Sequence, residues 1–463
     1  MHPQGMSSRV SPLTVDLLAQ DSKPLPPGLK MTGNHQPEAR TIPFSRYTDP
    51  AFAKLEMERL WLRTWQVTCR TEDIPNIGDR VPYDVGTGLS LVIVRSGANE
   101  FKAFYNACRH RGTRLVNAPG GGDTIRCPFH GWQWKPDGAL KEVPCQWDFN
   151  GISGGSHDLK EVQVAVWEGF IFVNPDPDAA PLKDALGVLP QAFEGRGHAE
   201  RYTFAHVSKK IRANWKTVLE AFLEAYHVIE THNDAMPFTG DANTSYDIWD
   251  TGAGHISRLI TPSAVPSPHL GDDASTQIAA DGVAAFFAMA MPGVPMPALD
   301  ASKGNARAQL AEWRRGLMKM GLGLDMSNHC DSELIDSTQF HMFPNFGVWY
   351  GDGLPLLYQF LPHGDNPNES VFNVRLTMPL PANGVRPPAA KINHLDFDEY
   401  FSDKAPEFGP LSHIFDQDLS NLPYIQQGMH SAAPGAAHQT LGTYMEQRIQ
   451  YFQNVLADKL GVN

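Results

Sequence analysis

The order of apolar and polar positions divides the chain into stretches of different period. From Asp49 to Trp65 apolar residues recur at helical spacing, with Phe52, Leu55, Leu60 and Trp61 on one stripe, Asp49 able to cap and Pro50 suited to the first turn; a helix is expected there. The period then drops to two. Arg80–Val85, Ser90–Arg95 and Glu100–Tyr105 alternate between Gly- and Asn-containing turns, which predicts three short strands, and a further strand is expected over Trp167–Val173. Asn174-Pro-Asp-Pro-Asp-Ala-Ala-Pro181 reads as a linker. Beyond it, helices are expected over Leu182–Phe193 and Ala213–His227, and strands over 246–250, 255–260, 347–350, 356–361 and 371–378. Short Gly turns between consecutive strands imply an antiparallel sheet, so this part is expected to be α+β. Residues 262–335 show no regular period. The chain closes on an amphipathic pattern, Thr443–Leu460, with Met445, Ile449, Phe452, Leu456 and Leu460 on one face. The polar, proline-dotted residues 1–44 predict an arm that lies on a neighbour or stays mobile.

Length and charge narrow the function classes. At 463 residues the chain exceeds what one core fills, so two domains are expected. A formal charge of −13 without a long basic cluster argues against a nucleic-acid partner. Met1–Gln20 lacks the apolar core of a signal peptide. Val283–Leu299 is broken by Pro292, Pro295 and Pro297 and is short for a bilayer, so no membrane partner is expected either. Three of the five cysteines, Cys69, Cys145 and Cys330, have no close-spaced partner and suit free thiols, which points to a cytoplasmic location.

The other two carry chemistry. Cys108-Arg-His110-Arg-Gly112 and Cys127-Pro-Phe-His130-Gly131-Trp132 form two clips, C-x-H and C-x2-H, each offering one thiolate and one imidazole. Two Cys and two His can hold a tetrahedral zinc ion or the asymmetric [2Fe-2S] centre in which two His replace two Cys on one iron. Structural zinc sites usually pair like with like, whereas each clip here is mixed, which favours iron-sulfur. With their flanks, Tyr-Asn-Ala-Cys-Arg-His-Arg-Gly and Cys-Pro-Phe-His-Gly-Trp resemble the Rieske loops of the Rieske non-haem iron oxygenases.

That resemblance, strongest over 105–134 and 213–232, implies an architecture and a second metal site. The fold class it implies is α+β: an N-terminal all-β Rieske [2Fe-2S] domain plus a C-terminal helix-grip (START/SRPBCC-like) catalytic domain with an antiparallel sheet. The divisions are an arm over 1–44, a Rieske domain with its leading helix over 45–175 and a mononuclear iron domain over 176–463. Cys108, His110, Cys127 and His130 would hold the cluster. Taken alone, His227 and His232 are a weak signal, and on one helix they reach a common metal only if it ends or distorts between them, for which Val228–Thr231 offers three β-branched residues. After Asn-Trp-Lys and Glu-Ala-Tyr-His, they resemble the family's mononuclear iron ligands. The family's third ligand is an Asp at the start of a helix with Asn three residues on; Asp418 fits, with Asp416 as rival, against the alternative that Asp418 is only an N-cap. Glu224 stands where the family has a bridging acid, usually Asp, and Glu220 is read as a structural polar group.

The implied activity is that of a terminal oxygenase using dioxygen on a small organic substrate, aromatic or apolar, with hydroxylation, dihydroxylation and oxidative dealkylation all open. The alternative is an electron-transfer or ligand-binding protein without oxygenase activity. Gly120-Gly121-Gly122 lies between the clips, outside any strand-to-helix context for a dinucleotide, so electrons are expected from a ferredoxin or flavin reductase. Arg109, Arg111 and Arg114 offer a basic patch for such a donor, or are paired internally. The resemblance also implies a homotrimer, or an α3β3 assembly with a small β subunit. Phe286, Phe287, Met289, Met291 and Met296 could line an apolar pocket, or belong to the core.

Overall fold

Some strands alternate buried and less buried side chains, as Arg201–Ile211 and Ser370–Pro379 do, whereas central strands such as Phe346–Tyr350 are buried at every position. The computed structural model describes residues 14–462 apart from 274, 291–293, 295, 297 and 304, and the chain falls into two units. The smaller comprises Pro50–Ala185 with Leu361–Asn366; the larger comprises the residues up to Asp49, Leu186–Phe360 and Pro367 onward.

In the smaller unit six strands run in the order Gln66–Arg70, Phe170–Asn174, Glu161–Trp167, Glu100–Tyr105, Leu89–Gly97 and Arg80–Val85. A three-stranded sheet, Ile125–Arg126, Gln133–Trp134 and Leu140–Glu142, follows the first cluster clip. One core joins Val92, Val94 and Phe104 of the large sheet to Trp132, Trp134, Cys108 and Cys127, so burial of tryptophan and phenylalanine holds the clips on the sheet. Two expectations need correction. Trp167–Val173 is not one strand. Glu168 and Gly169 both take positive φ, 48° and 77°, and turn the chain into an antiparallel hairpin of Glu161–Trp167 with Phe170–Asn174. The helix expected over Asp49–Trp65 is α-helical only over Pro50–Glu56 and winds as a π turn over Met57–Trp61, which buries Leu60 and Trp61.

The larger unit is built on eight strands ordered Ser245–Asp250, His255–Thr261, Ser337–Met342, Phe346–Tyr350, Leu356–Pro362, Ser370–Pro379, Arg201–Ile211 and Asn393–Leu395. The last joins Arg201–Ile211 in parallel. The helix Gln447–Leu460 rests on the first two strands; it begins four residues later than expected and leaves Met445 outside, while Ile449, Phe452, Leu456 and Leu460 of the predicted stripe are buried along with most of the polar face. The fold class is the one expected, a β-domain followed by an α+β domain with an antiparallel sheet.

Several elements differ from expectation. Residues 182–193 form two short turns, Leu182–Ala185 and Leu189–Ala192, broken at Gly187 with φ 51°. The patternless stretch 262–335 contains two helices, Thr276–Ala290 and Ala306–Leu322. The first is rich in alanine and phenylalanine nearly all round and so shows no stripe. Its Phe286 and Phe287 pack on Phe238 and Trp313, while Met289 is exposed, Met296 is half-buried and Met291 lies outside the described residues. The arm, from residue 14 on, lies along its own catalytic unit. Arg258 donates to the carbonyls of Gly28 and Met31, Asp247 accepts the Gly33 N–H, and Asn454 donates to Glu38. Backbone groups of the described part of the arm that would otherwise face water are hydrogen-bonded to that surface instead. Residues 1–13 lie outside the described residues.

Candidate metal centres

The two clips of the smaller unit are the same turn made twice. The Gly112 N–H donates to the Cys108 carbonyl (2.9 Å) and the Gly131 N–H to the Cys127 carbonyl (3.1 Å). Both cysteines donate their own N–H onward, to Thr113 and Trp132, at 2.8 Å each. Each turn needs a residue with φ near 75–78° at its fourth step, and glycine is the residue that takes it without strain. The turns aim backbone N–H groups at sulfur: those of His110 and Arg111 at Cys108, and those of Phe129 and His130 at Cys127. Burial and the neighbouring Cys127 push the Cys108 thiol up, whereas at Cys127 the amide donors outweigh burial and hold it down.

The two imidazoles meet with ring centroids 4.7 Å apart, and His110 stacks on Trp132 at 5.2 Å. Burial, then His130 and Arg111, lower the His110 imidazole below its usual value, in the direction of the neutral form that binds metal. His110 Nδ1 is buried with no hydrogen-bond partner, which is what a nitrogen reserved for an iron looks like. The donor set therefore fits a Rieske cluster, two thiolates and two imidazoles on facing turns.

Asn106 holds this arrangement and was not foreseen. Its buried carboxamide accepts the N–H groups of Leu115 and Val116 and donates to the Val116 carbonyl at 2.7 Å, so one side chain ties the first clip to the strand before it. The need of those loop amides for partners was the only signal. Of the three arginines, Arg114 is held bidentately by Asp84, at 2.9 and 2.8 Å, and Arg111 lies over Phe129. The basic patch is accordingly weaker than the sequence suggested.

In the larger unit Asn214 caps a helix of Trp215–Ala221, accepting the Lys216 N–H. The expected helix to His227 stops there. The break spans 222–227 and takes in the first histidine, and the β-branched Val228–Thr231 forms a helical turn between the two. Glu224 makes this possible: its Oε2 accepts the N–H groups of Tyr226 and His227, capping that turn, while Oε1 meets His227 Nδ1 at 2.6 Å. Glu224 and His227 meet across a non-helical turn, not along the face of a helix.

The carboxylate arrives from a remote helix. Asp418 lies well inside Pro410–Ser431 and not at its start, so the N-cap alternative is excluded. Its Oδ1 is 2.9 Å from His232 Nε2 and 3.3 Å from His227 Nε2. The three ligating atoms lie within 4.8 Å of one another, and no other such group of His, Cys, Asp or Glu occurs among the described residues. Two donors each about 2.1 Å from one ion and at right angles to it stand about 3 Å apart, so this triad fits a metal with open positions on the far side. The rival Asp416 points elsewhere, accepting the N–H groups of Phe401 and Ser402 at 2.8 and 2.9 Å.

Burial opposes charge on both His227 and Asp418, yet they answer each other. Glu224 and Asp418 hold the His227 ring well above its usual value, and hydrogen bonds from both histidines hold Asp418 below the usual carboxylate range. Glu220 is structural, as expected, accepting from Tyr47 (2.7 Å), Gln453 (2.6 Å) and Gln439 (3.0 Å) in the buried interior. Two features were missed. Gln417 meets His232 Nδ1, and an aromatic cluster of Phe222, Tyr358, Phe360, Phe372 and Phe415 lies beside Asp418.

Fold and site together define a two-domain Rieske oxygenase architecture, and comparison with known proteins agrees. The Rieske [2Fe-2S] domain model matches residues 64–161, and the ring hydroxylating alpha subunit (catalytic domain) model matches residues 195–461. The second spans more than half of the chain, which belongs to the family of Rieske-type ring-hydroxylating oxygenase alpha subunits. Its cofactors are a Rieske [2Fe-2S] cluster and a mononuclear iron.

Among curated relatives, the carnitine monooxygenase oxygenase subunit of Escherichia coli is 31% identical over 198 residues, 42% of this chain and 53% of that protein. The anthranilate 1,2-dioxygenase large subunit of Acinetobacter baylyi is 32% identical over 201 residues, 40% of this chain and 41% of that protein. The matches thus span about half the length of these relatives. A solved quaternary ammonium Rieske monooxygenase in complex with L-carnitine superimposes with a TM-score of 0.61 at 17% identity, covering 91% of this chain and 96% of that one. At that identity it speaks for the fold.

Proposed function

We propose that the chain is the terminal oxygenase component of a multicomponent system that oxidises a small organic substrate with dioxygen. The observation that carries the reading is the convergence of His227, His232 and Asp418 within 4.8 Å, in a chain that also bears the mixed Cys/His clips. Cys108, Cys127, His110 and His130 would hold the cluster, and His227, His232 and Asp418 would hold the mononuclear iron. When bound, the cluster supplies single electrons and the mononuclear iron supplies the open coordination positions that dioxygen chemistry requires.

The remaining roles belong to side chains. Glu224 keeps the proton of His227 on Nδ1, so that Nε2 faces the metal, and serves as the bridge toward the Rieske histidine of a neighbouring copy in a homotrimer or α3β3 assembly. A ferredoxin or flavin reductase brings the electrons, with Arg111 exposed beside the clip to meet it. The aromatic cluster beside Asp418 is largely buried and keeps water from that side of the site.

The substrate carries an aromatic ring or a quaternary ammonium group. The two relatives above, named for carnitine and for anthranilate, represent one chemistry each. Oxygen uptake with NADH, a flavin reductase and a ferredoxin, measured over N-alkyl ammonium compounds and aromatic carboxylates, tests the reading. Substrate-dependent uptake with a hydroxylated or dealkylated product is expected. A protein that turns out colourless after cluster reconstitution, or that retains full turnover as His227→Ala, would sink it.

A further inference from the structure

The two histidines of the mononuclear site are held from behind by different chemistry. His227 Nδ1 meets the carboxylate of Glu224 at 2.6 Å, whereas His232 Nδ1 meets Oε1 of Gln417, a neutral amide, at 2.8 Å. We propose that Gln417 is a positioning residue of the mononuclear site, whose amide oxygen fixes the tautomer and orientation in which His232 presents Nε2 to the metal. The inference rests on the reading of His227, His232 and Asp418 as iron ligands.

His232 is buried, and its Nε2 lies at the point of convergence, 2.9 Å from Asp418 Oδ1. A nitrogen that binds metal carries no proton, so the neutral ring keeps its proton on Nδ1 and needs an acceptor there. An amide offers an acceptor at one end and a donor at the other, and only the oxygen serves. Asp234 decides which end faces the ring. Its Oδ1 is 3.4 Å from Gln417 Nε2, and a carboxylate only accepts, so the NH2 group must turn to Asp234 and the oxygen to His232. His413 Nε2, also 3.4 Å from the amide nitrogen, can take its second hydrogen.

One turn further on, Asn421 donates to Thr231 Oγ1, so the helix that carries Asp418 also grips the turn between the two histidines. Gln417 and Asp418 thus hold opposite nitrogens of one imidazole from adjacent positions. An amide at 417 does this without adding a third acid beside Asp418 and Asp234. The two ligands are therefore inequivalent, His227 leaning on a charged acceptor and His232 on a neutral one.

The test is the Fe(II) dissociation constant of the full chain with its cluster loaded, measured anaerobically by competition with a chromophoric chelator; cluster absorbance reports folding. Gln417→Leu should weaken binding about 10- to 100-fold, the range for loss of an outer hydrogen bond to a ligand, while Gln417→Glu, which still accepts from Nδ1, should stay within about threefold. Asp234→Lys, at an exposed position, should draw the amide oxygen to itself, turn NH2 onto His232 and weaken binding about tenfold. In Gln417→Glu/Asp234→Lys, where one carboxylate accepts from both neighbours, most of that loss should return.

Binding by Gln417→Leu within twofold of the parent would overturn the proposal, as would an equal loss from Asp234→Lys in both backgrounds, which is charge acting at a distance. If Gln417→Leu loses its cluster absorbance, the Asp234 cycle decides alone. His232→Ala separates the levels: unchanged Fe(II) binding there defeats the ligand assignment, whereas abolished binding with a flat Gln417 cycle defeats only this inference.

Discussion

The cluster turns and the mononuclear triad solve one problem, holding iron, in opposite ways. Cys108 to His130 is a single stretch whose two turns close on themselves through Gly112 and Gly131. The triad takes two histidines from one broken helix and a carboxylate from another, 186 residues away from His232. The first site is local geometry used twice, and the second exists only once the sheet has been packed. The lesson is that a site made of turns stands or falls with its own residues, while a site made of remote helices also depends on whatever keeps each helix end in place.

The largest effects should come from removing ligands, and they should be separable. Cys127→Ser is expected to abolish the cluster's visible absorbance and reduce bound iron from about three atoms per chain to about one. His227→Ala should leave the cluster spectrum intact, lose one iron and abolish turnover. If either variant drained both sites, the independence of the two centres would be broken. Next, Glu224→Gln keeps the shape but not the charge of the group behind His227. It is expected to lower turnover about 10- to 100-fold with iron retained. Equal losses of iron and activity would reduce Glu224 to a structural cap.

Smaller effects sharpen the contrast. Asn106→Ala removes four hydrogen bonds, three to Leu115 and Val116 beyond the first clip and one to Ser90, and should cost about 1–3 kcal/mol, read as faster bleaching of the cluster in denaturant while mononuclear iron stays in place. Asp416→Ala loses only the cap of Phe401–Lys404 and should cost about 0.5–2 kcal/mol in thermal unfolding with iron content unchanged. Iron loss there would mean that the wrong aspartate has been taken as ligand.

How much of this was readable follows the same division. The clips could be read because their ligands, their glycines and their flanking aromatics are contiguous, and the strand pattern at 80–105 placed them at the end of a sheet. His227 and His232 could be found as a pair, but the reason they converge was misread. The helix gives way at 222–227, where Glu224 replaces helical hydrogen bonds with its own carboxylate, and not at the β-branched residues. Asp418 was found by spacing to Asn421, yet placed at a helix start when it lies within one, because Gly409 and Pro410 set that start a full two turns earlier. Gln417 and the Tyr358 cluster could not be seen at all, since no local pattern marks a residue whose only task is to touch something distant.

The sequence by itself determined which atoms could bind metal and where several strands of each large sheet would lie, because thiolates, imidazoles and hydrophobic period are properties of residues and their near neighbours. The strands Gln66–Arg70, Glu161–Trp167, Arg201–Ile211 and Ser337–Met342 were not read from it. Only the tertiary structure decided which carboxylate meets the histidines, which amide stands behind His232, and that the arm from residue 14 lies along its own catalytic unit. Those choices depend on packing between segments hundreds of residues apart, where a shift of an ångström separates a ligand from a helix cap.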